Sequence, residues 1–242
     1  MTQDNKGEFD VERAATVVLR AVQRHVPKQH EYREVDGREF RHVSQRYYAR
    51  TTESLRTIGF RLLGDSQDKA LLATAVFDPR TFERIMVDAS GTTIATFCHI
   101  APVLKWRIAM MLMRFPSTIL DFSSVGEDGT IYATSNKLEK TVFPKPDWVT
   151  RQLVSRKTKP EEMYARHQQI LAGVRTPLRP LRTLSDILRT KTDLRIRQRA
   201  YLEKIGWVGK DFLKLNGIPQ QHVDAVYDEV QRLVRGGFVA AN

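Results

Sequence analysis

Apolar residues recur at helical spacing in two segments near the start of the chain. Residues 9–26 place valine, alanine and leucine three and four positions apart, which predicts a helix, and Asp10 is suited to cap its start. Residues 40–58 repeat this pattern and end at Gly59, a residue that favours the left-handed position just past a helix. We therefore predict two N-terminal helices separated by the polar, turn-prone stretch 28–38.

The middle of the chain has the shorter rhythm of strands and tight turns. Two hairpins are indicated, one with its turn at 88–91 and the other with its turn at 126–129. A short strand is expected at 61–63, closed by a polar turn at 64–68. Together these segments predict an antiparallel meander of four or five strands over about residues 60–136.

Two further segments of this region are predicted to be strands. Residues 71–77 form an apolar run that ends at a turn-like Asp-Pro pair. Residues 104–113 alternate in the period of a strand with one buried face, and they include Trp106 and the methionines 110, 111 and 113. We expect these methionines to fill the core rather than to form a binding surface.

The last hundred residues are predicted to be helical. Short helices are expected at 147–155 and 160–172, followed by an amphipathic turn or two at 181–188. Two longer segments, 194–215 and 220–235, carry apolar residues at near-heptad spacing. Such a helical hairpin either docks on the sheet or forms a homodimer or protein interface.

These elements predict an α+β fold, with N-terminal helices packed on the antiparallel meander and a helical C-terminal region after it. We place the sheet domain at residues 1–146 and a basic helical region at 147–242, and we leave open whether the two pack as one domain.

Composition limits the class of protein. Of the 242 residues, 41% are hydrophobic and 28% are charged, which indicates a globular core rather than disorder. Cys98 is the only cysteine and therefore excludes an intramolecular disulfide. No run approaches the roughly 18–20 apolar residues of a membrane span, and the polar start lacks the features of a secretory signal. We therefore expect a soluble, cytoplasmic protein with no transmembrane segment.

The charge is concentrated in one stretch. The net charge is +11, and residues 151–200 contain thirteen Lys and Arg against four Asp and Glu. Ten of the thirteen are arginines, whose planar fork binds phosphate and carboxylate bidentately. The candidate residues for binding nucleic acid or another anion are Arg175, Arg179, Arg182, Arg189, Lys191, Arg195, Arg197 and Arg199.

Several partners are compatible with this basic stretch, and nucleic acid is the leading candidate. The alternative of an anionic membrane surface would use the leucines and the isoleucine of 178–188 as the inserted face. An acidic protein partner, or simple solvation with pairing to acids of the first 150 residues, is also compatible. Aromatic residues that could stack on single-stranded bases are sparse, with Trp148 and Tyr164 the nearby ones.

Motifs that would indicate catalysis or a bound cofactor are absent. Cys98 and His99 are adjacent, but neighbours in a strand point to opposite faces and cannot form a thiol–imidazole pair. The histidines lack metal-ligand spacing, and no glycine-rich phosphate loop occurs. Asp88 and Asp128 have a sufficient explanation as turn residues. We therefore predict no catalytic residue, no metal and no cofactor.

The sequence thus favours a non-enzymatic binding or adaptor module that contacts an anionic partner through residues 151–200. One alternative is an enzyme or small-ligand binder with a pocket between sheet and helices, lined by Trp106, the methionines and His99 or Asp121. The other is a protein-interaction subunit that acts through its C-terminal helices.

Overall fold

The fold is taken from a computed structural model of the chain. The structure describes residues 9–26, 30–68, 81–100, 117–137 and 143–238. The strands predicted at 71–77 and 104–113, with Trp106 and the three methionines, lie outside the described residues.

Six α-helices and seven strands are found in the described ranges. The helices are α1 (Val11–His25), α2 (Gln45–Thr57), α3 (Pro160–Ala172), α4 (Leu184–Lys204), α5 (Lys210–Leu215) and α6 (Val223–Arg235). The strands are β1 (Tyr32–Val35), β2 (Arg61–Asp68), β3 (Glu83–Val87), β4 (Ile94–His99), β5 (Thr118–Val125), β6 (Ile131–Ser135) and β7 (Val149–Leu153). Short 3-10 turns cover Gly37–Glu39 and Gln220–His222.

The strands form one sheet in the order β1-β2-β3-β4-β5-β6-β7. Strands β1 to β6 are an antiparallel series, whereas β7 pairs in parallel with β6, from Ile131 opposite Val149 to Ser135 opposite Leu153. The predicted hairpins with turns at 88–91 and 126–129 are confirmed as β3–β4 and β5–β6. The predicted sheet of four or five antiparallel strands is wrong, because the sheet is mixed and has seven.

Two of the missed strands lack a local signal. Strand β1 is an edge strand of four residues in a polar stretch, and its partly exposed positions need no apolar pattern. Strand β7 replaces the helix predicted at 147–155. Its apolar ends Val149 and Leu153 are four positions apart, which fits a helix, but the backbone pairs with β6 instead. Pairing between distant segments therefore overrides the local pattern.

Strand β2 extends through the polar segment predicted as a turn at 64–68. Its polar side chains are buried, and three of them have charged or polar partners on neighbouring segments, whereas the Ser66 hydroxyl has none among the described residues. Asp65 accepts two hydrogen bonds from the Arg84 guanidinium at 2.7 and 2.8 Å, and Gln67 accepts from Arg33. Asp68 lies 2.7 Å from His30. Because these groups are paired, the strand can continue where its composition indicates a turn.

One face of the sheet, which we call the α2 face, is covered by α2 and α3. Its core is aromatic, with Tyr48 stacked on Phe82 at a centroid distance of 4.2 Å and with Phe97, Phe122 and Met163 beside them. All five side chains are at most 1% exposed. The prediction that an N-terminal helix covers the sheet is confirmed for α2.

The opposite face, which we call the α4 face, is covered by the first half of α4. Ile85, Ile94 and Val125 of the sheet pack there against Leu181 and Ile187. Helix α4 is one continuous element from residue 184 to 204, where the sequence predicted a short amphipathic turn and then a separate helix. It ends where Gly206 and Trp207 adopt positive φ angles of 74° and 73°.

The N-terminal helix α1 lies in a third core, away from the sheet. Its buried residues Ala15, Leu19 and Val22 pack in one cluster with Leu202 at the end of α4 and Val226 of α6. The prediction that α1 covers the sheet is therefore wrong, because its apolar stripe is buried by the C-terminal helices. Strand β7 follows residue 146 in the chain but belongs to the sheet. The division of the chain into two domains at residue 146 stays a prediction.

Replacing Tyr48 with Phe tests the polar contacts inside the α2 face. The Tyr48 hydroxyl donates to the carbonyl of Phe82 at 2.8 Å and accepts from the backbone N–H of His99 at 3.0 Å. Removing it leaves both groups buried without that partner, so the free energy of unfolding in urea should fall by about 2 kcal/mol. Tyr132→Phe, at a half-buried position, is the control and should change it by less than about 0.5 kcal/mol. Equal effects of the two variants would contradict the assignment.

Candidate anion-binding surface

An extended segment of the chain crosses the end of the sheet, and we call this segment, residues 177–182, the strap. Its backbone is fixed to the turns of both hairpins. The N–H of Arg179 donates to the carbonyl of Val125 at 2.7 Å, and the N–H of Leu181 donates to that of Gly91 at 2.7 Å. The two prolines of the strap lack an N–H and favour extended backbone. The strap therefore presents its remaining side chains at fixed positions.

Three exposed arginines lie along this end of the sheet. Arg179 and Arg182 belong to the strap, and Arg61 begins β2 next to it, where its guanidinium donates to the carbonyl of Arg182 at 2.8 Å. The described part of the chain holds no carboxylate paired with any of these side chains. We call Arg61, Arg179 and Arg182 the arginine rim.

Gly91 makes the approach of the rim to the β3–β4 turn feasible. Its φ angle of 77° is the left-handed conformation that favours glycine, and a Cβ atom there would lie 2.9 Å from Cγ of Arg182. The side chain of Arg182 therefore lies across the turn, over the space that any other residue at position 91 would occupy.

The acid nearest the β3–β4 turn does not compete for the rim. Asp88 is 6% exposed, and its carboxylate accepts hydrogen bonds from the Ser90 hydroxyl and from the backbone N–H groups of Thr92 and Thr93. Its charge is therefore directed into the turn. An inward carboxylate that is already hydrogen-bonded leaves the neighbouring guanidinium groups open to another anion.

The β5–β6 turn is acidic at its surface. Glu127 and Asp128 are exposed there, and Asp128 accepts from the backbone N–H of Thr130 at 2.8 Å and from the Thr176 hydroxyl at 3.3 Å. The hydrogen bond from Thr130 lowers the pKa of Asp128. Arg175 is exposed, but it is next in the chain to Thr176, whose hydroxyl donates to Asp128. Because Arg175 adjoins this acidic turn, we do not count it in the rim.

Two of the predicted anion-binding residues, Lys191 and Arg195, are half-buried on α4 itself. Lys191 forms an ion pair with Glu83, and its ammonium group lies 5.2 Å from the ring centroid of Tyr32. Burial is the largest single effect and lowers the pKa of Lys191, but Glu83 and Tyr32 together make the net shift upward. Arg195 lies in the same cluster. Burial lowers its pKa too, and the neighbouring Tyr32, Glu83 and Asp68 shift it upward overall.

Two further predicted residues are engaged within the protein. The guanidinium of Arg197 lies 4.1 Å from the ring centroid of Trp148 and donates to the carbonyl of Gly129 at 2.7 Å. Arg199 donates to the carbonyl of Val26 at 2.6 Å and pairs with Glu203 at 2.8 Å. Both arginines therefore tie α4 to neighbouring parts of the fold.

The eight predicted anion-binding residues are thus divided by their contacts. Arg175, Arg179, Arg182 and Arg189 are exposed. Arg197 is also exposed but is held by Trp148 and Gly129, and Lys191, Arg195 and Arg199 are half-buried with partners in the protein. Arg61 was missed because it lies 90 residues before the basic stretch 151–200. The signal that places it is structural, since β2 begins opposite the end of β3 at the same edge as the turn.

Arg189 lies apart from the rim, at a groove between β1 and the start of α4. The groove has a volume of about 360 Å³, and it is lined by Tyr32, Glu34, Leu184, Ser185, Leu188, Arg189 and Thr192. It is open to solvent on one side, and both Glu34 and Arg189 lie on its wall. Ser185 and Thr192 place hydroxyl groups on its wall, and its volume suits a small polar molecule.

Of the residues named for an enzyme pocket, His99 and Asp121 lie on opposite faces of the sheet, and Trp106 and the methionines lie outside the described residues. In the strand pairing, Asp121 lies opposite Thr96, on the face that also carries Cys98, and His99 points to the other face. Burial raises the pKa of the Cys98 thiol to about 12, so this thiol is protonated at neutral pH. Among the described residues, no group of three or more His, Cys, Asp or Glu side chains could hold a metal ion.

Several of the apolar residues that a membrane surface or a helix–helix interface would use are buried in the core of the protein. Leu181 and Ile187 are 2% and 0% exposed, because they pack on the α4 face. The apolar stripe of α6, including Val226 and Val230, is buried against α1. Over the described ranges, no helix has both the length and the hydrophobicity that crossing a bilayer demands.

Comparisons with protein-family models, with curated protein sequences and with solved structures find no match to this chain. The assignment of a function therefore depends on the geometry described above.

A buried histidine on the α2 face predicts how stability depends on pH. His167 is 0% exposed, and its two ring nitrogens lie 3.1 Å from the Ser124 hydroxyl and 3.3 Å from the Thr134 hydroxyl. Burial lowers the pKa of His167 to about 4, with Asp88 opposing weakly. The unfolded chain takes up this proton near pH 6.5, so stability is complete above that pH and falls as the pH drops toward 4.

Urea unfolding at pH 7.5 and pH 5.0 measures this effect. The wild-type protein should lose about 2 kcal/mol more between these pH values than a His167→Gln variant, whose side chain does not titrate. His222→Gln, at the start of α6, is the matched control and should keep the wild-type dependence. A His167→Gln variant with the full wild-type pH dependence would show that another group causes it.

Replacing Lys191 with Met tests whether this residue is structural. The change leaves half-buried Glu83 without its cation, and the free energy of unfolding should fall by about 2 kcal/mol. Arg189→Met, two residues earlier and exposed, should change it by less than about 0.5 kcal/mol. Changing Glu83 as well, to Leu, should restore part of the loss. An unchanged stability in Lys191→Met would mean that the ion pair contributes nothing to the fold.

Proposed function

We propose that this protein is a binding module for nucleic acid and that the arginine rim is its contact with phosphate groups. The observation that carries the proposal is the grouping of three exposed guanidinium groups at one end of the sheet. Two of them come from the strap and one from β2, and they have no acidic partner in the described part of the chain.

Physical chemistry favours phosphate as the ligand of such a surface. A guanidinium group presents donors in a planar fork that matches two oxygens of a phosphate, and it remains charged at every physiological pH. Strap and hairpin turns hold the backbone of the rim through hydrogen bonds of 2.7 Å. Because the backbone is fixed before binding, the conformational entropy lost when an anion is bound is that of the arginine side chains alone.

Because several basic residues of 151–200 have partners within the protein, the proposed contact surface is smaller than the basic stretch. Thirteen basic residues between 151 and 200 first suggested a broad binding surface, but Lys191, Arg195, Arg197 and Arg199 are used to hold α4 in place. The proposed contact is therefore small, and it combines the strap with an arginine from outside that stretch. An enzymatic function has less support, since His99 and Asp121, the polar groups named for a pocket, lie on opposite faces of the sheet.

A binding assay over a salt series tests the proposal. A fluorescently labelled mixed-sequence nucleic acid should bind at about 50 mM salt, and its affinity should fall as salt is raised, because phosphate contacts release counterions. The double variant Arg179→Gln/Arg182→Gln should reduce affinity at least about tenfold and flatten the salt dependence. Anisotropy of the labelled strand measures both quantities.

A matched control tests whether the overall positive charge alone accounts for binding. Arg46 and Arg50 are exposed on the first turns of α2, near the opposite end of the sheet, where the Ser44 N–H lies 3.5 Å from His99. Arg46→Gln/Arg50→Gln removes the same two charges and should leave the affinity within about twofold of wild type. Equal losses in both double variants would show attraction by net charge alone, and an absence of binding at 50 mM salt would refute the proposal.

A further inference from the structure

Among the forms of nucleic acid, the geometry points to a duplex held by its backbone rather than to a single strand. This inference rests on the proposed function. It starts from the shape of the arginine rim, whose anchor points lie along consecutive strands of the sheet. The strap is fixed at Val125 of β5 and at Gly91 between β3 and β4, and Arg61 begins β2.

The rim is therefore a row with a fixed length. From β5 to β2 there are three steps between neighbouring strands, and at about 4.8 Å per step the anchor points span roughly 14 Å. Backbone hydrogen bonds to the two turns prevent the row from bending to follow a flexible ligand. A duplex is stiff over about 50 nm and presents its phosphates in a fixed array, so binding it to a rigid row costs little ordering of either partner.

A single-strand site needs a second feature, which is a set of exposed rings on which bases stack. Within the described ranges every aromatic residue is buried or half-buried. Of the two rings nearest the basic stretch, Trp148 is covered by the guanidinium of Arg197 at 4.1 Å. Tyr164 packs between Phe60 and Phe122 at centroid distances of 5.0 and 5.6 Å. Both rings already have neighbours in the fold.

The lack of exposed rings among the described residues has an energetic consequence. Stacking of one base on an aromatic side chain contributes about 1–3 kcal/mol to single-strand binding. A surface of arginines alone lacks that contribution and depends on the density of phosphate charge, which is higher along a duplex than along one of its strands. The same three arginines should therefore bind a duplex more tightly than a single strand of equal length.

The salt dependence of the binding constant provides a quantitative test of the inference. For three phosphate contacts, the logarithm of the binding constant should fall with the logarithm of salt concentration with a slope of about −2.7 on duplex DNA. Removal of two arginines in Arg179→Gln/Arg182→Gln should reduce the size of this slope by about 1.8. A surface that gained affinity from stacking would keep much of its binding at high salt.

The experiment compares a mixed-sequence duplex of about 20 base pairs with an unstructured single strand of the same length, using the full chain and the rim variant. We expect at least about tenfold tighter binding of the duplex at 50 mM salt, and loss of that binding in the rim variant. Arg46→Gln/Arg50→Gln is again the control, and circular dichroism checks that each variant is folded.

Each other result has a separate meaning. Equal or tighter binding of the single strand, lost in the rim variant, would overturn the duplex inference and leave the proposed function intact. Binding of neither probe would overturn the proposed function itself. Binding that the rim variant retains would show that nucleic acid contacts another surface, and both proposals would then fail.

Discussion

The structure depends on the covering of both faces of its sheet. Helices α2 and α3 bury one face, and the other is buried by α4, a helix that carries six basic residues along its second and later turns. A cation that is withdrawn from water is destabilising unless it has a partner. Lys191 pairs with Glu83, and Arg199 donates to the carbonyl of Val26, whereas exposed Arg197 lies over the ring of Trp148. The need to cover the sheet therefore decides which basic residues are available to a ligand.

The same helix joins the two parts of the molecule. Its first half packs on the sheet through Ile187, and its second half enters the core of α1 and α6 through Leu202. The strap immediately before it lies at the end of the sheet, where Leu181 enters the core of the α4 face and Arg179 and Arg182 stay outside it. Its arginines are exposed for this reason, since the chain crosses the end of the sheet there and has no further layer above it.

Local sequence signals were sufficient for those elements that carry their own start and stop. The two hairpins and helix α3 were predicted because turn residues, or Pro160 and Gly173, mark their limits. The edge strands β1 and β7 and the position of α1 depend on pairing or packing with residues far away, which no local pattern records. The candidate site was likewise predictable only in part. The charge count located residues 151–200, which include the strap. Only packing separates exposed Arg182 from half-buried Arg195, and only strand register brings in Arg61.

The packing of α1 against α6 has a consequence for how the chain folds during its synthesis. Residues 11–25 leave the ribosome early, whereas their partner at 223–235 is made about two hundred residues later. Translation proceeds at roughly 5–20 residues per second, so the apolar stripe of α1 waits for at least about ten seconds without its native cover. The sheet can assemble in that interval, and the closure of this third core is then the step that completes the fold.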